Sequence, residues 1–257
     1  MNRIQTAFQH KPIFMPYFPL GYPNIESSID IIETLAKNGA DLIEVGLAFS
    51  DPLADGPVIQ QATQAALQNG ITLKKSLDCV AELRRRGVTI PLILMGYYNP
   101  ILSFGLKNYI AAAASAGADG FIIPDLPLEE AAEFEALCGD LPLISMLAPT
   151  TPPERLSAIA SRAKGFIYLV SVTGVTGARQ QVSAGLDALI HQVKACTSKP
   201  VCVGFGIGTP EQARQVASFA DGVIVGSACV RTIGESDNPV EEAERFAREF
   251  AEAVIQK

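Results

Sequence analysis

The sequence has few of the residues from which metal sites and disulfide frameworks are built. Its two histidines, His10 and His191, have no partner at ligand spacing. The cysteines are odd in number and include no C-x-x-C pair, which argues against zinc and disulfides. We therefore expect no metal site, and we expect the cysteines to be small apolar core residues. They are Cys79, Cys138, Cys196, Cys202 and Cys229.

Basic charge and long apolar runs are also scarce. Lys and Arg total 20 against 27 Asp and Glu, which gives a formal net charge of −7. Nucleic acids and anionic membrane surfaces bind basic patches, so neither is an expected partner. No stretch approaches the roughly 18 uninterrupted apolar residues of a membrane-spanning helix. Residues 1–11 lack the apolar segment of a signal peptide, and we expect a cytoplasmic protein.

The chain does contain many short apolar runs. Hydrophobic residues make up 48% of it and charged residues 18%, a balance that excludes intrinsic disorder. The runs are nearly continuous rather than alternating, as in parallel strands that are covered on both faces. The predicted strands cover residues 13–20, 42–45, 92–95, 121–123, 143–147, 166–170, 201–203 and 223–225.

Amphipathic segments lie between these strands. The predicted helices cover residues 28–38, 73–86, 107–116, 129–137, 153–162, 186–195, 210–220 and 239–255. Eight strand–helix units predict a single (β/α)8 TIM-barrel domain over residues 1–257. We expect a short N-terminal helix and an extra short helix before the last one. An open doubly wound sheet is the alternative, but it usually has fewer strands and a G-x-G-x-x-G motif after the first.

Two carboxylates stand where a barrel carries its active site, at the C-terminal ends of strands. Glu44 lies inside an apolar strand and faces away from its two neighbours. Burial should raise its pKa and suit it to proton transfer, although pairing with a core donor would be a purely structural role. Asp55 follows in a loop longer than the usual two to about six residues. Asp51, before Pro52, is more typical of a turn.

Glycine is concentrated at the ends of the last three predicted strands. Residues 171–179 combine glycines with hydroxyl residues, residues 204–208 read GFGIG, and Gly226 and Ser227 open the extra short helix. Backbone N–H groups and a helix N-terminus bind phosphate without basic side chains. The sequence therefore predicts a phosphate site, despite the acidic net charge.

Several motifs resemble those of one family. Residues 42–57, LIEVGLAFSDPLADGP, closely resemble the signature of the tryptophan synthase alpha subunit family. Shorter motifs resemble it in the same order: residues 15–18, 95–100, 123–127, 174–179 and 204–207. The resemblance covers nearly the whole chain. It implies retro-aldol cleavage of indole-3-glycerol phosphate to indole and glyceraldehyde 3-phosphate.

The resemblance also implies a partner and a division of labour. Indole would pass to a beta subunit in an alpha2-beta2 complex, and that subunit would carry pyridoxal phosphate. This chain itself would need no cofactor. Glu44 would be the general acid–base, and Asp55 would hold the indole N–H and stabilise positive charge near the ring nitrogen.

Further residues match the family's substrate and partner contacts. Tyr168 matches a position near the glycerol chain, and Thr176 one that closes over Asp55. The residues that would pack on the indole are Met95, Ile122 and Phe205. The phosphate would be bound by Gly177, Gly206, Gly226 and Ser227. Asp51, Asn99 and Pro127 map to the mouth that faces the beta subunit.

Three positions depart from the family pattern. Ala48 stands where the family usually has Pro, Pro19 where it has a strand-one Thr, and Tyr22 where it has Asp. These departures bear on loop closure and coupling to the partner rather than on cleavage.

Three other functions are compatible with parts of the sequence. They are a free-standing lyase that releases indole, a non-catalytic regulatory partner, and another phosphate-binding barrel such as a sugar-phosphate isomerase or epimerase. The presence of both Glu44 and Asp55 disfavours the non-catalytic partner. The intact signature over residues 42–57 disfavours the isomerase or epimerase.

Overall fold

The protein folds as a barrel of parallel strands surrounded by helices. A computed structural model describes residues 2–10, 12–170, 185–204 and 206–255. Its sheet contains eight strands in the order β4-β3-β2-β1-β8-β7-β6-β5. The strands are β1 (Ile13–Pro19), β2 (Ile43–Gly46), β3 (Leu92–Met95), β4 (Gly120–Ile122), β5 (Ser145–Leu147), β6 (Ile167–Val170), β7 (Val201–Gly204) and β8 (Gly222–Val225).

The two ends of this sheet meet between β4 and β5. Phe121 pairs with Leu143 in an isolated parallel bridge. The Phe121 N–H donates to the Pro142 carbonyl at 2.9 Å, and the Ile144 N–H donates to the Phe121 carbonyl at 2.8 Å. The sheet thus curls into the predicted TIM barrel. The strand predicted from residue 143 begins at Ser145 instead, because Leu143 takes part only in this bridge.

Helices precede, connect and follow the strands. They are α1 (Arg3–Ala7), α2 (Ile25–Lys37), α3 (Pro57–Gln68), α4 (Leu73–Arg85), α5 (Tyr98–Phe104), α6 (Leu106–Ala116), α7 (Ala132–Leu137), α8 (Pro153–Arg162), α9 (Leu186–Cys196), α10 (Pro210–Ala217), α11 (Ser227–Gly234) and α12 (Pro239–Ile255). The short first helix and the extra helix α11 confirm the prediction. In the described ranges, no helix has the length and apolar character needed to cross a membrane.

The core fills the barrel and the space between the sheet and the helices. Every residue of β1 to β4 and of β7 and β8 is buried. All five cysteines are free, and four of them are buried as predicted. The prediction was wrong for Cys196, which is exposed because it is the last residue of α9.

Aspartate side chains form hydrogen bonds between neighbouring strands at the N-terminal end of the barrel. Just before β2, the Asp41 carboxylate accepts a hydrogen bond from the Phe14 N–H of β1 at 2.8 Å. Just before β4, Asp119 accepts from the first N–H of β3 at 2.9 Å. Just before β8, Asp221 accepts from the first N–H of β7 at 3.0 Å. Each carboxylate therefore joins its own strand to the neighbouring one.

Candidate active site

A cavity of about 210 Å³ opens at the C-terminal ends of the strands. Glu44 and Asp55 line one part of it, and glycine-rich backbone at Gly206 and Gly226 lines another. Tyr17, Met95 and Tyr168 also line it. The barrel thus brings the predicted acid–base pair and the predicted phosphate site into one cavity.

Glu44 is held on β2, in register with Tyr17 of β1 and Ile93 of β3. Only 2% of the residue is exposed. Burial, together with the smaller effect of the nearby charge of Asp55, raises the pKa of Glu44 to about 8. At neutral pH its carboxyl group is therefore mostly protonated and can act as a proton donor.

Asp55 lies in the loop between β2 and α3 and is 4% exposed. Burial raises its pKa to about 6, while a hydrogen bond from the Tyr97 side chain opposes that rise. The Tyr97 hydroxyl oxygen also accepts from the Ala54 N–H at 3.1 Å. Gln60 Nε2 donates to the Asp55 carbonyl at 2.8 Å. Asp55 is therefore mostly ionised at neutral pH, and its loop is tied down on both sides.

Tyr97 was missed by the sequence analysis. It belongs to the motif over residues 95–100 but was not among the predicted site residues. Its ring centroid lies 5.5 Å from that of Phe49, at the start of the Asp55 loop. A tyrosine after a strand forms no recognisable motif in the sequence. Its contact with Asp55 becomes visible only when the ends of β2 and β3 are placed side by side.

Two tyrosines beside the carboxylates each lie against a glycine. A Cβ placed on Gly46 would lie 2.6 Å from Cζ of Tyr17, and one on Gly204 would lie 2.7 Å from Cζ of Tyr168. No side chain fits at such distances, so glycine at these two positions makes room for the aromatic rings. Burial raises the pKa of Tyr168 well above its ordinary value, and the nearby charges of Glu44 and Asp55 raise it further.

The glycine-rich wall has the features of an anion site. Gly226 is the N-cap of α11, and Ser227 is its first residue. Helix α10 is capped by Thr209, whose hydroxyl oxygen accepts from the Gln212 N–H at 3.3 Å. Gln212 Oε1 in turn accepts from the Gly208 N–H at 2.8 Å, which fixes the loop beside Gly206. Such N–H groups at a helix start favour a phosphate.

The remaining predicted substrate contacts fall into three groups. Met95 lines the cavity. Ile122, its register partner on β4, is fully buried and is not among the described residues that line the cavity. Its contact with the substrate therefore stays a prediction. Thr176, Gly177 and Phe205 lie outside the described residues. The lining also includes the exposed Arg231 of α11, which the sequence analysis did not name.

The residues predicted to face a partner are exposed around the mouth. Asp51, Asn99 and Pro127 follow β2, β3 and β4 respectively. A larger cavity of about 650 Å³ is lined in part by Leu53 and Pro127, and by neither Glu44 nor Asp55. Within the described ranges, no group of three or more His, Cys, Asp or Glu side chains is arranged to hold a metal ion.

Comparison with known proteins gives the family. The family model described as "Tryptophan synthase alpha chain" matches residues 4–256. The chain is 50% identical over 263 aligned positions to the tryptophan synthase alpha chain of Chloroflexus aurantiacus, covering 99% of both proteins. It is 51% identical to that of Chloroflexus aggregans, covering 90% of this chain and 89% of the relative.

Solved structures give the same answer. A structure of Mycobacterium tuberculosis tryptophan synthase aligns with a TM-score of 0.91 at 36% identity, covering 100% of this chain and 99% of that chain. The alpha subunit structure from Legionella pneumophila aligns with a TM-score of 0.90 at 38% identity, covering 99% and 98%. These matches rule out the isomerase or epimerase alternative, and this chain belongs to the tryptophan synthase alpha chain family of lyases.

Proposed function

We propose that this chain cleaves indole-3-glycerol phosphate to indole and glyceraldehyde 3-phosphate. The observation that carries the proposal is the pair of buried carboxylates, with pKa values of about 8 for Glu44 and about 6 for Asp55, in a cavity that is also lined by glycine-rich backbone. Near neutral pH one carboxyl group is a proton donor and the other is an anion. Retro-aldol cleavage of an indole needs both.

In the first step, protonated Glu44 donates its proton to C3 of the indole. The ring then carries positive charge at its nitrogen, and the carboxylate of Asp55 binds the N–H and stabilises this charge. Tyr97 holds Asp55 through a hydrogen bond, so the anion is in place before the charge develops.

In the second step, the Glu44 carboxylate removes the proton of the hydroxyl group on the adjacent glycerol carbon. The bond between that carbon and C3 breaks, and its electron pair restores the aromatic indole. The hydroxyl oxygen becomes the carbonyl oxygen of glyceraldehyde 3-phosphate. Glu44 ends the cycle protonated, so these steps balance without a cofactor.

The phosphate holds the substrate in register with this chemistry. Backbone N–H groups around Gly206, Gly226 and Ser227 would bind it, aided by the N-terminus of α11. Arg231 lies one helical turn after Ser227 in the same lining and adds a positive charge at this end. We assign Met95 and Tyr168 to the indole and glycerol parts of the substrate.

Indole release from indole-3-glycerol phosphate tests this function. Because the chain contains no tryptophan, indole fluorescence reports the ligand and product without tryptophan emission from the protein. Glu44→Gln should lower kcat by about 10²- to 10⁴-fold, with KM little changed, because proton transfer contributes that much. Glu26→Gln, at an exposed site on α2, is the matched control. Turnover of Glu44→Gln within about tenfold of the parent contradicts the role of Glu44.

The phosphate site has its own test. Gly226→Asp places a negative charge at the N-cap of α11, where the phosphate would bind. We expect a clear rise in KM with a smaller effect on kcat, measured in the same assay. An unchanged KM argues against this site.

We also propose that the exposed mouth binds a beta subunit, to which indole passes. Besides Asp51, Asn99 and Pro127, this surface exposes two large apolar side chains, Leu53 at 83% and Leu102 at 53%. The Asp125 carboxylate, from the loop after β4, accepts from the Tyr98 N–H at the start of α5 at 2.9 Å. The loops after β3 and β4 are thereby joined into one surface.

The beta subunit would supply pyridoxal phosphate for the next reaction. We place both reactions in the cytoplasm, since five free cysteines, one of them exposed, suit a reducing compartment. Added beta subunit should raise the rate of indole release. A high rate that does not respond to the partner would favour a free-standing lyase.

A further inference from the structure

The hydroxyl group of Tyr17 is a polar group in the active-site cavity that the proposed steps do not use. Tyr17 lies on β1 in register with Glu44, and its side chain lines the cavity. The residue is 3% exposed. Among the described residues its hydroxyl has no hydrogen-bond partner.

This hydroxyl is fixed in position and keeps its proton. The Tyr17 ring lies against Gly46 so closely that any side chain there would overlap it. Burial, followed by the charges of Asp55 and Glu44, raises the pKa of Tyr17 well above its ordinary value. Tyr17 therefore presents a neutral donor beside both carboxylates.

A bound ligand would change the surroundings of this donor. In the open cavity water can bind the hydroxyl, but a ligand that fills the cavity displaces the water. A buried donor left without an acceptor costs free energy, so a well-fitting ligand supplies one. The two carboxylates are engaged at the ring nitrogen and at the reacting carbons. In the proposed steps this leaves the hydroxyl oxygens of the glycerol chain as the acceptors open to Tyr17.

We infer that the Tyr17 hydroxyl donates a hydrogen bond to a hydroxyl oxygen of the glycerol chain and holds that chain against Glu44. The inference rests on the proposed function, because it needs that substrate. It makes Tyr17 a specificity-determining residue, which selects a hydroxylated chain over one that lacks hydroxyl groups. A site built to hydrogen-bond a substrate hydroxyl discriminates strongly against analogues without it.

Tyr17→Phe in the full chain tests the inference with two ligands. For indole-3-glycerol phosphate we expect kcat/KM to fall by about 10- to 100-fold, the range for a lost hydrogen bond in an active site. Binding of indole-3-propanol phosphate, which has no hydroxyl groups on its chain, should stay within about twofold of the parent's affinity. Tyr109→Phe, which removes a buried hydroxyl outside the cavity, is the matched control and should change neither value.

Each outcome decides between the possibilities. If Tyr17→Phe keeps the parent's kcat/KM, the inference is overturned. It is also overturned if the substitution weakens kcat/KM for indole-3-glycerol phosphate and the affinity for indole-3-propanol phosphate by the same factor. A fall in melting temperature with both ligands weakened assigns the hydroxyl a structural role and overturns it too. We expect the melting temperature to be unchanged, because the hydroxyl bonds to no described residue. If the parent chain fails to cleave indole-3-glycerol phosphate, the proposed function itself fails, which separates the two results.

Discussion

At the scale of single residues, local surroundings separate the pKa values of two buried carboxyl groups. Glu44 lies deep on a strand, and its pKa rises to about 8. Asp55 lies in a loop where Tyr97 donates a hydrogen bond to it, and its pKa rises only to about 6. The sequence predicted that both side chains lie in the active site and that burial raises the pKa of Glu44. It did not predict Tyr97 or Tyr17, since neither residue shows a pattern until the strands are placed side by side.

The first prediction concerns the pH dependence of cleavage. The proposed steps need Glu44 protonated and Asp55 ionised, so kcat/KM should pass through a maximum between about pH 6 and about pH 8. Initial rates of indole release across the pH range measure this. Asp55→Asn should lose the acidic limb of the profile. A rate that keeps rising beyond about pH 9 is incompatible with Glu44 as the proton donor.

The second prediction concerns the stability cost of Glu44. Its folded pKa of about 8 exceeds the ordinary value of 4.5, so the folded state holds a proton that the unfolded state has released. The free energy of unfolding therefore falls as pH rises from about 4.5 to about 8. Glu44→Gln has no such carboxyl group and should raise the melting temperature, by more at about pH 8 than at about pH 5.

Thermal unfolding of the parent and of Glu44→Gln at both pH values measures the effect. Glu26→Gln, at an exposed site, keeps Glu44 and should change the melting temperature relative to the parent by the same amount at both pH values. If Glu44→Gln changes the melting temperature equally at both pH values, ionisation of the Glu44 carboxyl group is not what lowers the stability.

At the scale of elements, aspartates join neighbouring strands at the end of the barrel opposite the active site. Asp119 is the most heavily engaged of them. Its carboxylate accepts from the first N–H of β3, pairs with Arg84 at 2.5 Å and pairs with Arg3 at 3.0 Å. Arg84 also donates to the Val88 and Ile90 carbonyls. One carboxylate thus connects α1, α4 and two strands.

Loss of this carboxylate should be costly for stability and neutral for chemistry. Asp119→Ala leaves a strand N–H and the largely buried Arg84 without their partner, and we expect a loss of about 2–4 kcal/mol in the free energy of unfolding. Urea unfolding measures it. Asp78→Ala, whose exposed pair with Lys74 spans 3.9 Å, is the control and should change little. The kcat of folded Asp119→Ala should match the parent, and a large loss would mean that the two barrel ends are coupled.

The elements that sequence analysis missed are those that depend on distant contacts. It predicted the strands and the amphipathic helices, because their hydrophobic pattern is local. It omitted α5, whose first N–H is capped by Asp125 from another loop. It also omitted α3, which begins at Pro57 directly after the Asp55 loop. The strand predicted from residue 143 was too long, because closure of the barrel requires only one bridge there.

At the scale of the whole molecule, the barrel collects at its mouth both the chemistry and the surface that we assign to a partner. The length and the number of apolar runs predicted this architecture, and the proposed phosphate site would allow an acidic chain to bind an anionic substrate. The mouth surface was predicted only through three polar or turn residues. Its exposed Leu53 and Leu102 became visible when the fold placed them outside the core.

The partner surface gives a prediction at this scale. Leu102→Lys places a charge on an exposed face of α5, one turn from Asn99. We expect weaker association with a beta subunit and less stimulation of indole release, because burying an unpaired charge in an interface is costly. Titration calorimetry and the assay with added beta subunit measure both effects. Val240→Lys, at another exposed apolar residue, is the control, and the unstimulated rate should not change.

The pairing of Tyr17 with Gly46, and of Tyr168 with Gly204, restricts the mutational paths open to this chain. No side chain fits at Gly46 while the Tyr17 ring is in place, and the same holds for the second pair. A library that varies position 46 alone should therefore yield almost only inactive chains. Libraries that vary positions 17 and 46 together can recover a packed barrel with an altered cavity wall. Evolution of a different substrate preference here would then need two changes in one lineage.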